Sequence, residues 1–402
     1  MNKPELLAPA GSFKKLETAL LYGADAVYVG GKDFSLRAYA DNLDEYELQK
    51  AVELAHSKGA KVYVTVNIFP KNSDFPKAER YFKYLESIGA DAALVTDAGF
   101  ISLAKNVAPS LPLHLSTQAN TLNKYAVRFW AEQGISRVVL ARELSFEEIS
   151  EITAYNPATE IEVFVHGAMC ISYSGRCLLS NYLAGRDGNR GECVQACRWH
   201  YRITETARNE SAELAEDERG AYILNSKDLN LLREIPRLTE AGVKSFKIEG
   251  RMKSEYYLAT VVNAYRRAID EYCEYGEIIS ADALEAETLK VTHRDYTKAF
   301  FDGANADTVS YASGQHAGSY EFVGAVLGYA DGKAVVEMRN RFRTGETLEV
   351  LSPGENFNRT FVVGEMTNAA GEKVTDAKLV QEILYPDVPF PLTAGDILRR
   401  KS

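Results

Sequence analysis

Eight apolar, strand-like runs begin near residues 5, 26, 61, 92, 113, 137, 161 and 245, and a helical pattern fills each interval. Six of the seven intervals are 21 to 35 residues long. Parallel strands need a crossover of a dozen or more residues, and these intervals supply one each time. The punctuation agrees with this reading. Ser12 can cap a first helix that Gly23 stops, and Asp44 with Glu47 makes a capping-box pattern ahead of an amphipathic stretch that ends at Gly59. Ser145 with Glu148 repeats the box, and Pro157 closes that helix. The expected fold is α/β: a (β/α)8 TIM-like barrel, with a doubly wound open sheet as the weaker option.

The seventh interval is the exception, with 84 residues between the starts of strands seven and eight. An insertion at that point leaves the C-terminal face of the barrel, where such folds keep their chemistry. We assign residues 1–300 to the barrel with a Cys-rich insertion over 167–244, 301–317 to a linker, and 318–402 to a small β-barrel domain. The last region carries short alternating runs (321–326, 334–338, 346–351 and 361–366) separated by turns such as Asp331-Gly332 and Pro353-Gly354.

Four of the five cysteines lie in the insertion: Cys170, Cys177, Cys193 and Cys197, spaced C-x6-C-x15-C-x3-C. Such concentration in a chain otherwise almost free of cysteine points to a metal or redox centre rather than a disulfide framework. The wide intervals, with Gly175, Gly185, Gly188 and Gly191 among them, suit backbone wrapped around a [4Fe–4S] cluster. The close Cys193–Cys197 pair also fits a structural Zn2+, and an unliganded set of thiols is the third reading. Cys273, inside a helical pattern, reads as a packing residue.

His166 ends the strand four residues before Cys170. A Cys–His pair can make a nucleophile, which is the peptidase alternative; the plainer reading is a histidine bonded to loop backbone. No HExxH or GxSxG sequence supports hydrolysis. Between Arg176 and Arg202 there are five arginines (Arg176, Arg186, Arg190, Arg198, Arg202) against Asp187 and Glu192, in a chain of net charge -10. Trp199, His200 and Tyr201 are interleaved with them, giving surfaces on which an unpaired base can stack. The Gly185, Gly188 and Gly191 spacing could bring amides to an anion. Strand eight ends with Lys247 and Glu249, whose period-two spacing points both toward one side and makes them catalytic candidates beside His166. Arg251 offers two-pronged carboxylate recognition. Substrate-binding candidates are therefore Arg176, Arg190, Arg198, Arg251 and Lys227. Asn67, Asp97, Gln118, Arg142 and Glu143 also end strands. The clusters 225–228 and 293–296 carry no role readable from spacing.

Hydrophobic content of 46% and charged content of 25% are those of an ordinary globular chain. A pI near 5.3 argues against broad nucleic-acid affinity while leaving room for a local basic surface. With no signal-like start and no membrane-length apolar run, a cytoplasmic address with reduced thiols is expected. The piece 205–218, acidic and Ala-rich, reads as a solvated loop or flap.

The stretch around the first two cysteines resembles the signature of the collagenase-like peptidase family U32, met by Glu162, Phe164, Gly167, Ala168, Met169, Cys170, Gly175, Cys177, Leu179 and Ser180. The likeness extends through ELLAPAG, GADAVYVG, VNIFP, HLSTQAN, ARELS, ECVQACRW, NSKDL, KIEGRMKS and HRDYT, and is greatest to a tRNA-hydroxylating branch. It implies that Cys170, Cys177, Cys193 and Cys197 bind a [4Fe–4S] cluster. It further implies oxygen-independent hydroxylation of the tRNA wobble uridine to 5-hydroxyuridine, with prephenate, a dicarboxylate, as co-substrate. The acidic segment before Gly220 is shorter than that branch's insert, leaving room for a homo- or hetero-oligomer with a same-family subunit. A non-catalytic, cluster- or zinc-bearing subunit that presents tRNA or a precursor is the third functional class.

Overall fold

The computed structural model describes residues 3–36, 41–199, 225–303, 308–309 and 318–402. Seven strands follow one another as expected: β1 (Glu5–Ala10), β2 (Ala26–Gly30), β3 (Lys61–Val66), β4 (Ala92–Val95), β5 (Leu113–Leu115), β6 (Arg137–Val139) and β7 (Glu160–Ala168). Helices α1 (Phe13–Leu21), α2 (Glu45–Ser57), α3 (Phe75–Ser87), α4 (Ala98–Val107), α5 (Lys124–Glu132) and α6 (Phe146–Tyr155) separate them. A short helix α7 (Leu179–Ala184) lies in the insertion. It is followed by β8 (Asp228–Asn230), α8 (Ile235–Glu240), β9 (Ser245–Ile248), α9 (Glu255–Tyr275), α10 (Ala281–Thr288) and β10 (Tyr296–Thr297). The expected eighth strand is β9. It pairs parallel with β1 on one side and β7 on the other, closing an eight-stranded parallel ring from β1 through β7 and β9. The barrel is therefore closed, and the open-sheet option is excluded.

Local chemistry explains the helix starts. Ser12 caps α1 through Lys15 N, and both capping boxes form, Asp44–Glu47 on α2 and Ser145–Glu148 on α6. The sequence reading ran two strands too far. β5 stops at Leu115 and a 3-10 turn takes over at Thr117–Ala119, while β6 stops at Val139. Two strands went unforeseen. β8 runs antiparallel to the end of β7, pairing Asn230 with His166 and Asp228 with Ala168, and β10 lies parallel to β8.

The ring's interior is polar in its lower half. Arg137 at the start of β6 bonds Glu5 and Glu162, and Glu162 also receives Lys247 Nζ at 2.8 Å. Tyr63 Oη donates to Glu5 at 2.8 Å. Burial pushes the Glu162 carboxyl up, and the charges of Lys247 and Arg137 together more than reverse this, so it stays ionised below the usual glutamate range.

Residues 320–401 form the C-terminal unit: β11 (Tyr320–Ala330), β12 (Lys333–Met338), β13 (Phe342–Arg343), β14 (Thr347–Leu351), β15 (Thr360–Val362), β16 (Met366–Asn368), β17 (Lys373–Val374), β18 (Asp376–Ala377), β19 (Ile383–Pro386) and β20 (Ile397–Lys401). Eight of these make one antiparallel sheet around a separate apolar core, and β13 with β18 makes a second small pair. The expected small C-terminal β domain is thus present as a separate antiparallel unit; among the described residues its end strands β15 and β17 are not paired to each other. It is docked on the barrel by the fully buried Arg399, which pairs with Glu287 of α10, and by Tyr22 Oη, which donates to the carbonyls of Leu351 and Gly395. Cys273 is part-buried against the main core, as expected of a packing residue.

Removing one partner of a buried ion pair strands the others. Arg137→Met should lower unfolding free energy by roughly 3–5 kcal/mol in urea titration, because Glu5 and Glu162 lose their shared cation. A loss below about 1 kcal/mol would mean the network is not holding the barrel floor.

Candidate active site at the barrel mouth

The chain leaves β7 through Gly167, whose φ of +103° suits glycine; a Cβ there would lie 2.3 Å from the Glu249 carbonyl oxygen. Glu249 N donates to the His166 carbonyl at 2.8 Å, so the two strand ends are locked together as the insertion begins. The loop is then tied down on the mouth at several points. Glu143, just after β6, accepts from Ser174 N and Oγ at 2.6 and 2.7 Å. Arg176 Nε donates to the Gln118 carbonyl at 2.6 Å, beyond β5. Arg190 pairs with Asp74 at 2.8 Å and donates to the Phe69 carbonyl, beyond β3. Phe69 N in turn donates to the Asn189 carbonyl. Two of the arginines proposed for substrate are thus engaged in anchoring the loop.

That anchoring sets the thiols. Cys170, Cys177 and Cys197 are part-buried, Cys193 is exposed, and none forms a disulfide. Burial pushes the Cys197 thiol up to about 11; charge at Cys170 adds to this, Arg198 opposes it, and charge at Cys193 and Cys177 adds again. Cys197 therefore lies within reach of the charge of the other three thiols. Among the described residues, no three His, Cys, Asp or Glu side chains are drawn together tightly enough to hold a single metal ion. Two sulfurs already accept amide hydrogens, Cys177 from Leu179 N at 3.3 Å and Cys193 from Gln195 N at 3.4 Å. Ser180 Oγ sits 3.8 Å from Cys193 Sγ and accepts from Val194 N, while Asn189 brackets the Cys177 backbone on both sides.

The other predicted residues divide by height in the barrel. Lys247 lies below the mouth on Glu162, over the Tyr28 ring, not in an open site. Glu249, two residues higher, meets Arg142 at 3.2 Å. Arg142 stacks on Phe164 with its guanidinium 3.7 Å from the ring centroid, and donates to the Ala168 carbonyl. Arg251 is buried among Ser35, Thr65 and Asn42, reaching the ends of β2 and β3. Lys227 N donates to the Thr308 carbonyl, and Arg198 bonds the Gln195 side chain. His200, Tyr201, Arg202, the piece 205–218 and most of the linker lie outside the described residues.

The two clusters without a role meet here. Asp228 on β8 takes Arg294 in a buried pair, with Asn225 3.4 Å from the same guanidinium. His293 stacks on Tyr296 at 4.5 Å between centroids, and Tyr296 Oη lies 3.3 Å from His166 Nε2. His166 is buried and ringed by Tyr257, Tyr265 and Tyr296; its partner is a tyrosine hydroxyl rather than loop backbone. Lys253 feels the charges of Asp228, Arg294 and Arg198, which places several cations beside the cysteine loop. Short polar strands of two and three residues leave no periodic trace, so only the motif residues themselves signalled this assembly. Gln118 Oε1, Thr121 Oγ1, Arg142 Nε and His166 Nδ1 are buried without a hydrogen-bond partner among the described residues.

A family model described as Peptidase family U32 matches residues 11–310, and one described as Peptidase family U32 C-terminal domain matches 318–399. The chain belongs to peptidase family U32. It is 45% identical over 369 residues to the tRNA hydroxylation protein P1 of Bacillus subtilis, covering 89% of this chain and 86% of the relative. It is 40% identical to the tRNA hydroxylation protein P of Escherichia coli, covering 92% and 91%. It is 34% identical to the 23S rRNA 5-hydroxycytidine C2501 synthase of Escherichia coli, covering 87% of this chain and 53% of that one.

Burial lowers His114 and His166 from 6.5 to about 3 in each case. The unfolded chain takes up these protons first, so their stabilising contribution is complete above about pH 6.5 and is lost as pH falls toward 3. Unfolding free energy should drop by about 2 kcal/mol per histidine between pH 7 and pH 5. His114→Gln, remote from the thiols, should remove its share of that drop; an unchanged pH slope would contradict the buried, neutral assignment.

Proposed function

We propose that this protein is an iron–sulfur RNA-modifying enzyme that hydroxylates the wobble uridine of certain tRNAs to 5-hydroxyuridine without O2, using prephenate as the hydroxyl source. One observation carries the reading: a loop bearing four thiols, with Cys197 in reach of the charge of the other three, is tied over the C-terminal mouth of a closed (β/α)8 ring. The relatives named above act on RNA by their names, and two chemistries among them, tRNA hydroxylation and 5-hydroxycytidine synthesis, share hydroxylation as the outcome.

The donor set fits a [4Fe–4S] cluster. Such a cluster needs four soft ligands that neighbour each other without meeting at one point, and amide hydrogen bonds to its sulfurs. Cys170, Cys177, Cys193 and Cys197 would hold it, with Leu179 N and Gln195 N as the amide donors. When bound, it would supply electron exchange or a Lewis-acidic iron. Replacing the C5 hydrogen of uridine by hydroxyl is a two-electron oxidation, so a route without O2 calls for a redox centre or an electron-accepting donor.

The chain's own side chains suit a small polar co-substrate. Arg142 and Lys253 bring positive charge to the mouth, and the unpartnered atoms of Gln118, Thr121 and Arg142 offer buried hydrogen-bonding capacity for carboxylate or hydroxyl groups. His166 is uncharged at neutral pH, and its low basicity makes it a poor acceptor for a thiol proton, so the Cys–His peptidase reading gains nothing from this geometry. Its contacts with Tyr296 and Tyr257 suit positioning of the β7 end. Among the described residues no helix is long and apolar enough to cross a membrane. A tRNA substrate implies a cytoplasmic address.

The test is genetic and chemical. In a strain without a paralogue, deletion should abolish 5-hydroxyuridine and its derivatives in tRNA nucleosides measured by mass spectrometry. Wild type should restore them, while Cys170→Ser and Cys193→Ser should not. An unchanged nucleoside profile on deletion would reject the assignment.

A further inference from the structure

The cysteine excursion exposes far more apolar and aromatic surface than its anchoring requires. Of α7 only Ser180 is buried, and residues 181–186 are all exposed. Tyr182 is 80% exposed and Trp199 42%, with Tyr173, Leu178 and Leu183 also exposed nearby. A short helix that buries little beyond Ser180 and turns its large side chains to solvent leaves a contiguous apolar surface of the kind that meets a partner. Tyr182 and Trp199 belong to one small assembly, because α7 packs against the 3-10 turn Ala196–Arg198 that leads directly into Trp199. That same turn contains Cys197, and the turn before α7 ends next to Cys177.

The charge around these rings selects the partner. Residues 173–199 carry four arginines against one aspartate and one glutamate, whereas the whole chain carries a net charge of -10. Arg190 is committed to Asp74, Arg176 bonds the Gln118 carbonyl and Arg198 the Gln195 side chain, yet Arg176 and Arg186 are exposed and Arg198 is part-exposed beside Trp199, so their charge reaches the surface around the rings. Exposed aromatic faces set among arginines suit unpaired nucleobases with phosphates alongside.

We propose that Tyr182 and Trp199 form a base-stacking platform for a single-stranded RNA loop, holding it against the thiol centre. The inference rests on the RNA-hydroxylating reading and adds the residues that grip the loop. Stacking on the neighbouring bases would hold the loop open, so that the reacting uridine can leave its stack and enter the mouth.

The test uses the full chain purified without oxygen and a seventeen-nucleotide tRNA anticodon stem-loop, with a fully paired duplex of the same length as control. Chain with Trp130→Phe keeps Trp199 as its single tryptophan reporter, since there are two in all. Hairpin binding should quench that fluorescence and the duplex should not. Read by anisotropy of a dye-labelled hairpin, Tyr182→Ala and Trp199→Ala should each weaken hairpin binding roughly 5- to 150-fold, the range seen when a stacking ring is truncated. Tyr182→Phe and Trp199→Phe should stay within about twofold, because each keeps a ring to stack on; circular dichroism melts check that all variants fold. Alanine variants that bind the hairpin like wild type, while wild type still hydroxylates tRNA, would overturn the platform and leave the enzyme assignment standing. Alanine variants that instead dissolve an oligomer in sedimentation, with hairpin binding intact, would overturn it in favour of a protein partner. A wild-type chain that binds no hairpin, together with an unchanged tRNA nucleoside profile on deletion, would remove both readings.

Discussion

The hydrogen-bonded seam between β7 and β9 is the constraint on which the rest depends. These strands are neighbours in the ring although 85 residues separate their starts. The insertion must therefore leave at the mouth and return the chain to the opposite end of the same seam. Gly167 lets the chain pass within contact of the Glu249 carbonyl, and β8 doubles back along the end of β7 before the return. The excursion is consequently held at both ends by the barrel itself. A loop of this size that carried four thiols without such ends would face a large ordering cost before any ligand bound.

Charge is distributed in layers along the barrel axis. At the floor, Glu5, Arg137, Glu162 and Lys247 satisfy one another inside the ring, where an unpaired ion would be costly. Above them the Phe164 ring is approached by both cations, Arg142 at 3.7 Å and Lys247 at 5.4 Å from its centroid. At the mouth, Arg176 and Arg190 clamp the loop to the ends of β5 and β3. What is left for a ligand is the Arg142–Glu249 pair, the Asp228–Arg294–Lys253 group and the buried polar atoms of Gln118 and Thr121.

Much of this frame was legible in the sequence because it is written in periodic or local signals. Strand starts follow an alternating apolar pattern, and both capping boxes need only residues three apart, so they were found where they form. The cysteine loop was visible through its composition. Long-range choices were not. Nothing near Arg190 names Asp74, which is 116 residues away, and nothing near Asp228 names Arg294. The period-two rule put Lys247 and Glu249 on one side of β9, as found, but not their depth; a rise of two residues separates a buried floor cation from a mouth carboxylate. β8 and β10 are too short and polar to announce themselves, so the contact between residues 225–228 and 293–296 required the folded chain.

The account stands on the four sulfurs sharing one inorganic centre. Iron, zinc and acid-labile sulfide should be measured per chain in protein purified and kept without oxygen. The account predicts about four iron and four sulfide per chain with little zinc, and loss of both iron and sulfide in Cys193→Ser. Protein with no iron or sulfide, or with one zinc bound equally well by wild type and variant, would contradict it.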